Sequence, residues 1–205
     1  MIIDKNNLNK MDKLNRVNFI NGLSGFKTPF LLGTVSSQKK TNLSIVSSVT
    51  HLGSNPSLFS IIFRPPEVPR HSLENILEIK KFTLNHVERS FYKIAHQTSA
   101  RYPREVSEFD ALGIDKEYIR EFPAPFVKQS SIKIAMCLCE HNKIKANNTV
   151  MVIGKVEFVK IDKELVENDG YINLEKSNIV CVSGLDAYHS TKSLGRLPYA
   201  KPKKS

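Results

Sequence analysis

Three strand-like runs between residues 28 and 63 constrain the fold of this chain more than any other feature of its sequence. Residues 28–36 and 42–50 are rich in apolar and β-branched side chains, and a short polar stretch separates them. Such a pair predicts a β-hairpin, and its second strand carries the hydroxyls of Ser47, Ser48 and Thr50. A third run, residues 57–63, predicts another strand that leads directly into Arg64 and two prolines.

The second half of the chain is also rich in strands. Apolar residues alternate from 132 to 138, and residues 150–161 predict a long strand with Gly154 at a bulge or bend. Residues 179–182 predict a further short strand. The pattern favours a mainly β fold, a β-barrel with helical excursions. A doubly wound sheet is disfavoured because no Gly-x-Gly-x-x-Gly motif follows a strand.

Three short helices are predicted between the strands. The first opens at His71, and Ser72 is placed to act as its N-cap. Residues 89–98 predict a second helix, and residues 107–113 predict a third. Residues 99–104 cannot be regular throughout, because Pro103 lacks a backbone N–H.

Length and composition set the size and class of the protein. The 205 residues fit one domain, for which we predict residues 16–199, between a polar N-terminal arm (1–15) and a basic C-terminal tail (200–205). No run approaches the roughly 18 apolar residues of a membrane helix, and the start is too polar for a secretory signal. Three cysteines fit a reducing compartment. We therefore expect a cytoplasmic protein that does not enter a membrane.

The basic character of the chain is compatible with a phosphorylated ligand or a nucleic acid. Thirty Lys and Arg residues against 20 Asp and Glu residues leave a net charge of +10. The charge is divided between the two termini and the loops, and no nucleic-acid-binding motif is present. Solvated surface charge is therefore favoured over a nucleic-acid function.

A metal site is also disfavoured. Cys137, Cys139 and His141 alternate along one predicted strand and so share a face. Zinc sites more usually draw spaced ligand pairs from turns, and no fourth ligand lies nearby in the sequence. We therefore expect no metal.

The order of the motifs in the first half of the chain resembles that of a known family. The hydroxyl-rich strand is followed by an apolar strand that ends in Arg64-Pro65, then by His-Ser-Leu-Glu-Asn-Ile at residues 71–76 and Phe-Thr-Leu-Asn at residues 82–85. This order is similar to that of the flavin reductase-like family of FMN-binding split-barrel proteins. The resemblance covers nearly all of the chain from about residue 15 onward and includes residues 99–109, 184–189 and 194–199.

The resemblance implies an FMN-binding split β-barrel that acts as an NAD(P)H-dependent flavin reductase. Hydride would pass from NADH or NADPH to N5 of FMN without an obligatory catalytic side chain, since the cofactor carries the redox chemistry. The resemblance also implies a homodimer, and an electron-accepting protein or a monooxygenase as partner. Two alternatives stay open: an FMN-holding electron carrier of the flavoredoxin type with little nicotinamide activity, and a binding protein that has lost the flavin.

The resemblance places the second strand of the hairpin at the flavin ring. Ser47, Ser48 and Thr50, with the backbone of Val49, would supply hydrogen bonds to the polar edge of the ring. Strand alternation favours Ser48 and Thr50 over Ser47 for side-chain contacts. The alternative is that these hydroxyls only decorate the outer face of a strand.

The phosphate of FMN requires cations and free N–H groups. Arg64 can hold a phosphate by its fork of donors, and His71 and Ser72 lie at the start of a helix, where N–H groups favour an anion. Asn75 and Asn85 are neighbouring polar candidates.

Two C-terminal residues complete the set of candidates. Residues 194–199 resemble the segment that closes over the flavin region, and Arg196 and Tyr199 could serve the phosphate, the nicotinamide or only a dimer contact. The alternative is a surface tail that continues into the basic residues 201–204.

We predict that Arg64→Ala weakens FMN binding by about 1.5–3 kcal/mol, because the variant loses charge-assisted hydrogen bonds to the phosphate. A fluorescence titration of FMN against wild type and variant measures the change. An unchanged flavin affinity would remove Arg64 from the site.

Overall fold

Long antiparallel strands alternate with short helices across residues 1–202, which are the residues that this computed structural model describes. The helices are α1 (Lys5–Lys10), α2 (Lys13–Leu23), α3 (His71–Ile79), α4 (Tyr92–Gln97) and α5 (Glu108–Ala111), with a 3-10 helix at Lys163–Leu165. The strands are β1 (Phe30–Val35), β2 (Thr41–Val46), β3 (Val49–Ser54), β4 (Ser57–Phe63), β5 (Lys81–His86), β6 (Lys116–Glu117), β7 (Phe126–Val127), β8 (Ile132–Ile144), β9 (Thr149–Ile161), β10 (Val180–Ser183) and β11 (Ala187–Ser190).

One seven-stranded antiparallel sheet, in the order β2-β1-β5-β8-β9-β4-β3, forms the body of the protein. Its two edge strands, β2 and β3, are consecutive in sequence and only Ser47 and Ser48 separate them. Three residue steps span at most about 11 Å. The two edges must therefore lie close together at this point, and the sheet has to curl into a barrel.

The barrel is open along the same seam. Within residues 1–202, β2 and β3 form no hydrogen-bonded ladder with each other. At one end of the seam the link of Ser47 and Ser48 joins the two strands. The Ser48 hydroxyl anchors this link to β4: it donates to the carbonyl of Ile62 (2.8 Å) and accepts from its N–H (3.3 Å). The expected mainly β fold with helical excursions is confirmed, and its barrel has a gap between the two edges.

The strand β1 is buried on both faces, which places the barrel core on one side and a helical layer on the other. Leu32 packs in the barrel core with Phe82 and Met136. Its neighbour Leu31 points the other way and packs with Phe109 of α5. This double burial explains why all six residues of β1 are buried.

Gly154 fits the sequence prediction of an irregularity in the long C-terminal strand, but its main role is close packing. A Cβ atom at this position would lie 2.6 Å from Cζ of Phe82, which is fully buried. The register of the β8–β9 pair shifts directly opposite, between Leu138 and Glu140. The absence of a side chain at Gly154 therefore makes room for the fully buried ring of Phe82 in the barrel core.

The N-terminal residues are helical rather than extended. The helices α1 and α2 contain no buried residue, and the predicted boundary between residues 15 and 16 falls within α2. Leu14 and Leu23 expose about two thirds of their surface. At the other end, residues 200–202 have no regular structure, and residues 203–205 of the predicted basic tail lie outside the described residues.

Three predictions of local structure were wrong. Residues 42–50 do not form one strand, because the chain leaves β2 at Val46 and enters the opposite edge of the sheet at Val49. Ser72 is not an N-cap: Arg70 occupies that position, and the Ser72 hydroxyl bonds to side chains of β2 instead. The second helix is shorter than residues 89–98.

Among residues 1–202, no helix combines the length and the apolar character that crossing a membrane requires.

We predict that His86 makes stability fall between pH 6.5 and 4. The ring is 8% exposed and packs at a tilt against Phe30, and burial lowers its pKa to about 4. Neutral His86 is thus favoured in the folded state, so its contribution is complete above pH 6.5 and is lost as the pH falls toward 4. The full effect is about 3 kcal/mol.

Chemical denaturation of wild type and His86→Phe at several pH values measures this contribution. Phe retains a ring at the site but cannot titrate, so the variant should lose less stability than wild type over this range. Equal pH dependence in the two proteins would contradict the assignment.

Candidate functional site

A cavity of about 630 Å³ lies beside the link between β2 and β3. Its walls are the end of β2, the end of β4 with Arg64, the first turn of α3, and residues 98–104 before α5. The volume lies in the range of about 300–1,000 Å³ that is usual for small-molecule sites. The gap in the barrel therefore provides room for a ligand of cofactor size.

Three arginines from separate parts of the chain line this cavity: Arg64, Arg70 and Arg101. Burial lowers the pKa of the Arg70 guanidinium, and the positive charges of Arg64 and then Arg101 lower it further. Within the described part of the chain, none of the three forms a salt bridge with a carboxylate. Arg104, which also lines the cavity, is paired with Glu74. The three uncompensated charges make this wall of the cavity a site for an anion.

Helix α3 directs its N-terminus into the same cavity. The first-turn N–H groups of a helix have no intrahelical acceptor and favour a negative ligand. The hydroxyl of Ser72 accepts from Nδ2 of Asn42 (2.8 Å) and bonds to the hydroxyl of Ser44 (2.7 Å). These contacts fix the start of α3 against β2. The helix therefore reaches the cavity in a defined position, beside His71 and Arg70.

A buried carboxylate, Glu108, lies at the base of the cavity. It is 5% exposed and accepts a hydrogen bond from the backbone N–H of Leu43 (2.9 Å). Burial raises the pKa of the Glu108 carboxyl, and the Leu43 N–H and the charge of His71 oppose the rise. Glu108 ties α5 to the edge strand β2 and places a buried acid beside a strongly basic wall.

Five of the sequence-predicted site residues line this one cavity, and they come from three places in the chain: the link between β2 and β3, the end of β4 and the start of α3. These residues are Ser47, Ser48, Arg64, His71 and Ser72.

Asn75 lies in an adjoining hollow of about 200 Å³ that shares Asn42, His71 and Arg104 with the main cavity. Asn75 is 3% exposed and donates from Nδ2 to the hydroxyl of Thr34 (3.1 Å). Its Oδ1 has no hydrogen-bond partner among the described residues.

The structure does not bring Val49, Thr50 or Asn85 to the walls of this cavity. Val49 and Thr50 belong to β3 and pair with Ile61 and Ser60 of β4. Asn85 is fully buried between strands, where it donates to the carbonyl of Leu31 (3.0 Å) and accepts from the N–H of Val127 (3.0 Å). The expected parity along residues 47–50 does not apply, since the strand breaks there and both Ser47 and Ser48 line the cavity.

The C-terminal candidates also lie elsewhere in this single chain. Arg196 pairs with Glu167 (3.0 Å) and Asp169 (2.6 Å) and stacks over the ring of Tyr171 at 4.2 Å. Tyr199 is 91% exposed. Whether residues 194–199 close over a flavin region therefore stays a prediction.

Sequence reasoning missed Arg70, Arg101 and Glu108. Arg70 directly precedes the predicted helix start, and a basic residue there could have been read as part of an anion site. Arg101 and Glu108 lie in segments that the sequence identified as irregular or polar, with no local sign that they reach the cavity. Their place depends on where the segment after α4 returns to the barrel.

Comparison with known proteins gives a family match over most of the chain. The family model described as flavin reductase like domain matches residues 23–190. A crystal structure of a candidate flavin reductase with a split barrel domain, from Shewanella frigidimarina NCIMB 400, is 48% identical in sequence. It superimposes with a TM-score of 0.95, over 98% of this chain and 100% of that one.

Two more distant structures share the fold. Nitrilotriacetate monooxygenase component B from Bacillus cereus is 17% identical, with a TM-score of 0.84 over 96% of this chain and 98% of that one. The NADH:FAD oxidoreductase SgcE6 from Streptomyces globisporus C-1027 is 13% identical, with a TM-score of 0.70 over 94% and 98%. The expected split-barrel fold is thus confirmed.

Proposed function

Because the chain belongs to the flavin reductase-like domain family, we propose that it binds FMN and reduces it with NADH or NADPH. One observation carries the proposal: a hydroxyl-rich strand end, a helix N-terminus and three uncompensated arginines meet in one cavity beside the seam of the barrel. The cavity thus combines groups suited to a phosphate with groups suited to the polar edge of a ring.

The residues present fit FMN. Arg64 and Arg70, with the first turn of α3, would hold the phosphate, since arginine forks and free N–H groups are its preferred partners. Ser47 and Ser44 lie on the strand end that faces the same cavity and would meet the polar edge of the ring. Apolar Val46 and Phe63 line the cavity between them and would contact its flat surface.

When bound, FMN supplies hydride acceptance and donation, so the protein has to position its ligands rather than perform the redox step itself. The arginines balance negative charge in a partly enclosed cavity, where charge interactions are stronger than in water. Burial raises the pKa of the Glu108 carboxyl in the same cavity. The hydrogen bonds of Ser48 to Ile62 and of Ser72 to Ser44 would hold the link between β2 and β3 and the start of α3 in place while ligands exchange.

We further propose a homodimer, in which residues 194–199 of one subunit reach the partner subunit's cavity. The exposed apolar side chains support this assembly: Leu194, Leu197 and Tyr199 expose 104, 93 and 91% of their surface. Large apolar side chains that are exposed together commonly mark a protein interface. The reduced flavin would pass electrons to a separate acceptor protein, such as a monooxygenase; the name of the Bacillus cereus relative supports this class of partner.

The proposed reductase is expected to show flavin absorbance after purification or after titration with FMN, and to oxidise NADH or NADPH at a rate that depends on FMN. Absorbance spectroscopy measures both. A protein that binds FMN but does not oxidise either nucleotide would be an electron carrier. A protein that binds no flavin would contradict the cofactor assignment as well.

Truncation tests the proposed C-terminal role. Removal of residues 191–205 should lower activity and flavin retention, whereas removal of residues 200–205 should leave both unchanged. The longer deletion begins only after β11 and keeps that strand intact, because Tyr188 of β11 bonds to His96 (3.0 Å) and packs in the core. Light scattering of the same proteins reports the oligomeric state. If both truncated proteins match the full chain, residues 194–199 do not complete the site.

A further inference from the structure

The basic wall of the cavity carries more positive charge than one FMN phosphate balances. A phosphate monoester carries about −1.5 to −2 charges at pH 7, and Arg64, Arg70 and Arg101 together carry three positive charges. Arg104 adds nothing to this excess, because Glu74 neutralises it. Glu108 also lines the cavity, where it accepts a hydrogen bond from the Leu43 N–H. Counted over the three arginines alone, one FMN phosphate would leave about one positive charge without a counter-ion.

The three arginines are divided into two groups by the fold. Arg70 donates from Nε to the carbonyl of Pro65 (3.4 Å), which holds its guanidinium against the turn that begins at Arg64. Arg101 comes from a different part of the chain, on the irregular segment between α4 and α5. The positive charge of Arg64 acts more strongly on Arg70 than that of Arg101 does. Arg64 and Arg70 thus form one anion site, and Arg101 forms the beginning of another.

The neighbours of Arg101 suit a phosphorylated nucleoside. Ser99 and Tyr102 lie on the same segment and also line the cavity. Tyr102 is half-buried and offers an aromatic surface on which a base can stack. Ser99 offers a hydroxyl that can bond to a ribose or a phosphate oxygen.

We propose that Arg101 forms a second phosphate subsite, which receives the 2′-phosphate of NADPH while Arg64 and Arg70 hold the phosphate of FMN. The inference rests on the proposed reductase function. It makes NADPH the preferred donor over NADH.

Charge distinguishes the 2′-phosphate from other phosphates that could reach the cavity. Each phosphate of a pyrophosphate bridge is a diester-like group with about one negative charge, and both NADH and NADPH contain this bridge. Only NADPH adds a phosphate monoester, whose three terminal oxygens and higher charge match an arginine fork. Arginine is also the residue that accommodates the 2′-phosphate in other NADP-binding proteins.

Calorimetry with two adenosine nucleotides tests the subsite without turnover. Adenosine 2′,5′-bisphosphate and 5′-AMP differ only in the 2′-phosphate, and each is titrated into FMN-loaded protein. The bisphosphate should bind wild type about tenfold more tightly, and Arg101→Gln should abolish the difference. Equal binding of the two nucleotides to wild type would overturn the proposal.

Flavin titration separates the two phosphate sites. Arg101→Gln should leave FMN affinity within about twofold, whereas Arg64→Gln should weaken it at least about tenfold. In steady-state assays, Arg101→Gln should lower kcat/KM for NADPH about tenfold and leave that for NADH within about twofold. A loss of FMN affinity in Arg101→Gln as large as that in Arg64→Gln would place Arg101 in the flavin site and refute the division.

Arg89→Gln is the matched control. Arg89 is exposed on the segment before α4, lies outside both cavities, and loses the same charge on substitution. It should leave all three measurements unchanged. If the flavin titration shows no FMN binding, the proposed reductase function is wrong. The two nucleotides are then titrated into the flavin-free protein, and the difference between their affinities still tests the Arg101 subsite.

Discussion

The two-residue link between β2 and β3 is the constraint on which the rest of this structure depends. Ser47 and Ser48 join the first and last strands of a seven-stranded sheet, so the sheet cannot stay flat. The hydroxyl of Ser48 satisfies both backbone groups of Ile62 and anchors the link to β4. The link joins β2 and β3 at one end, but the two strands, both of which the structure describes in full, are not paired with each other along the rest of their length. The cavity lies beside this link.

The cavity keeps its charges available because the fold neutralises only some of its arginines. Arg104 and Arg101 are three residues apart on one segment, yet Arg104 pairs with Glu74 of α3, while Arg101 has no carboxylate partner in the described part of the chain. Like charges that face one cavity repel each other: burial lowers the pKa of Arg70, and the charges of Arg64 and Arg101 lower it further. Such repulsion destabilises the empty protein and is relieved by an anionic ligand.

Side-chain hydrogen bonds, in addition to the backbone ladders of the sheet, hold the walls of the cavity together. Ser72 joins the first turn of α3 to Asn42 and Ser44 of β2. Glu108 joins α5 to the same strand through the N–H of Leu43. The edge strand β2 therefore supports both helices. The helices in turn cover its unpaired edge, which protects the strand from pairing with another chain. A ligand that contacts either helix is positioned relative to the barrel core.

The sequence alone determined most of the long strands, the family resemblance and the five candidate residues that meet in the cavity. These follow from local information: the alternation of apolar residues, and the short segment that runs from the hydroxyl-rich strand through Arg64 to His71. Tertiary structure decided what local patterns cannot encode. Barrel closure broke the strand at Ser47, buried Asn85 between strands and brought Arg101 to the same cavity as Arg64 from 37 positions along the chain. Periodicity fixes which face a side chain occupies within one element, but the path of the whole sheet fixes which faces meet.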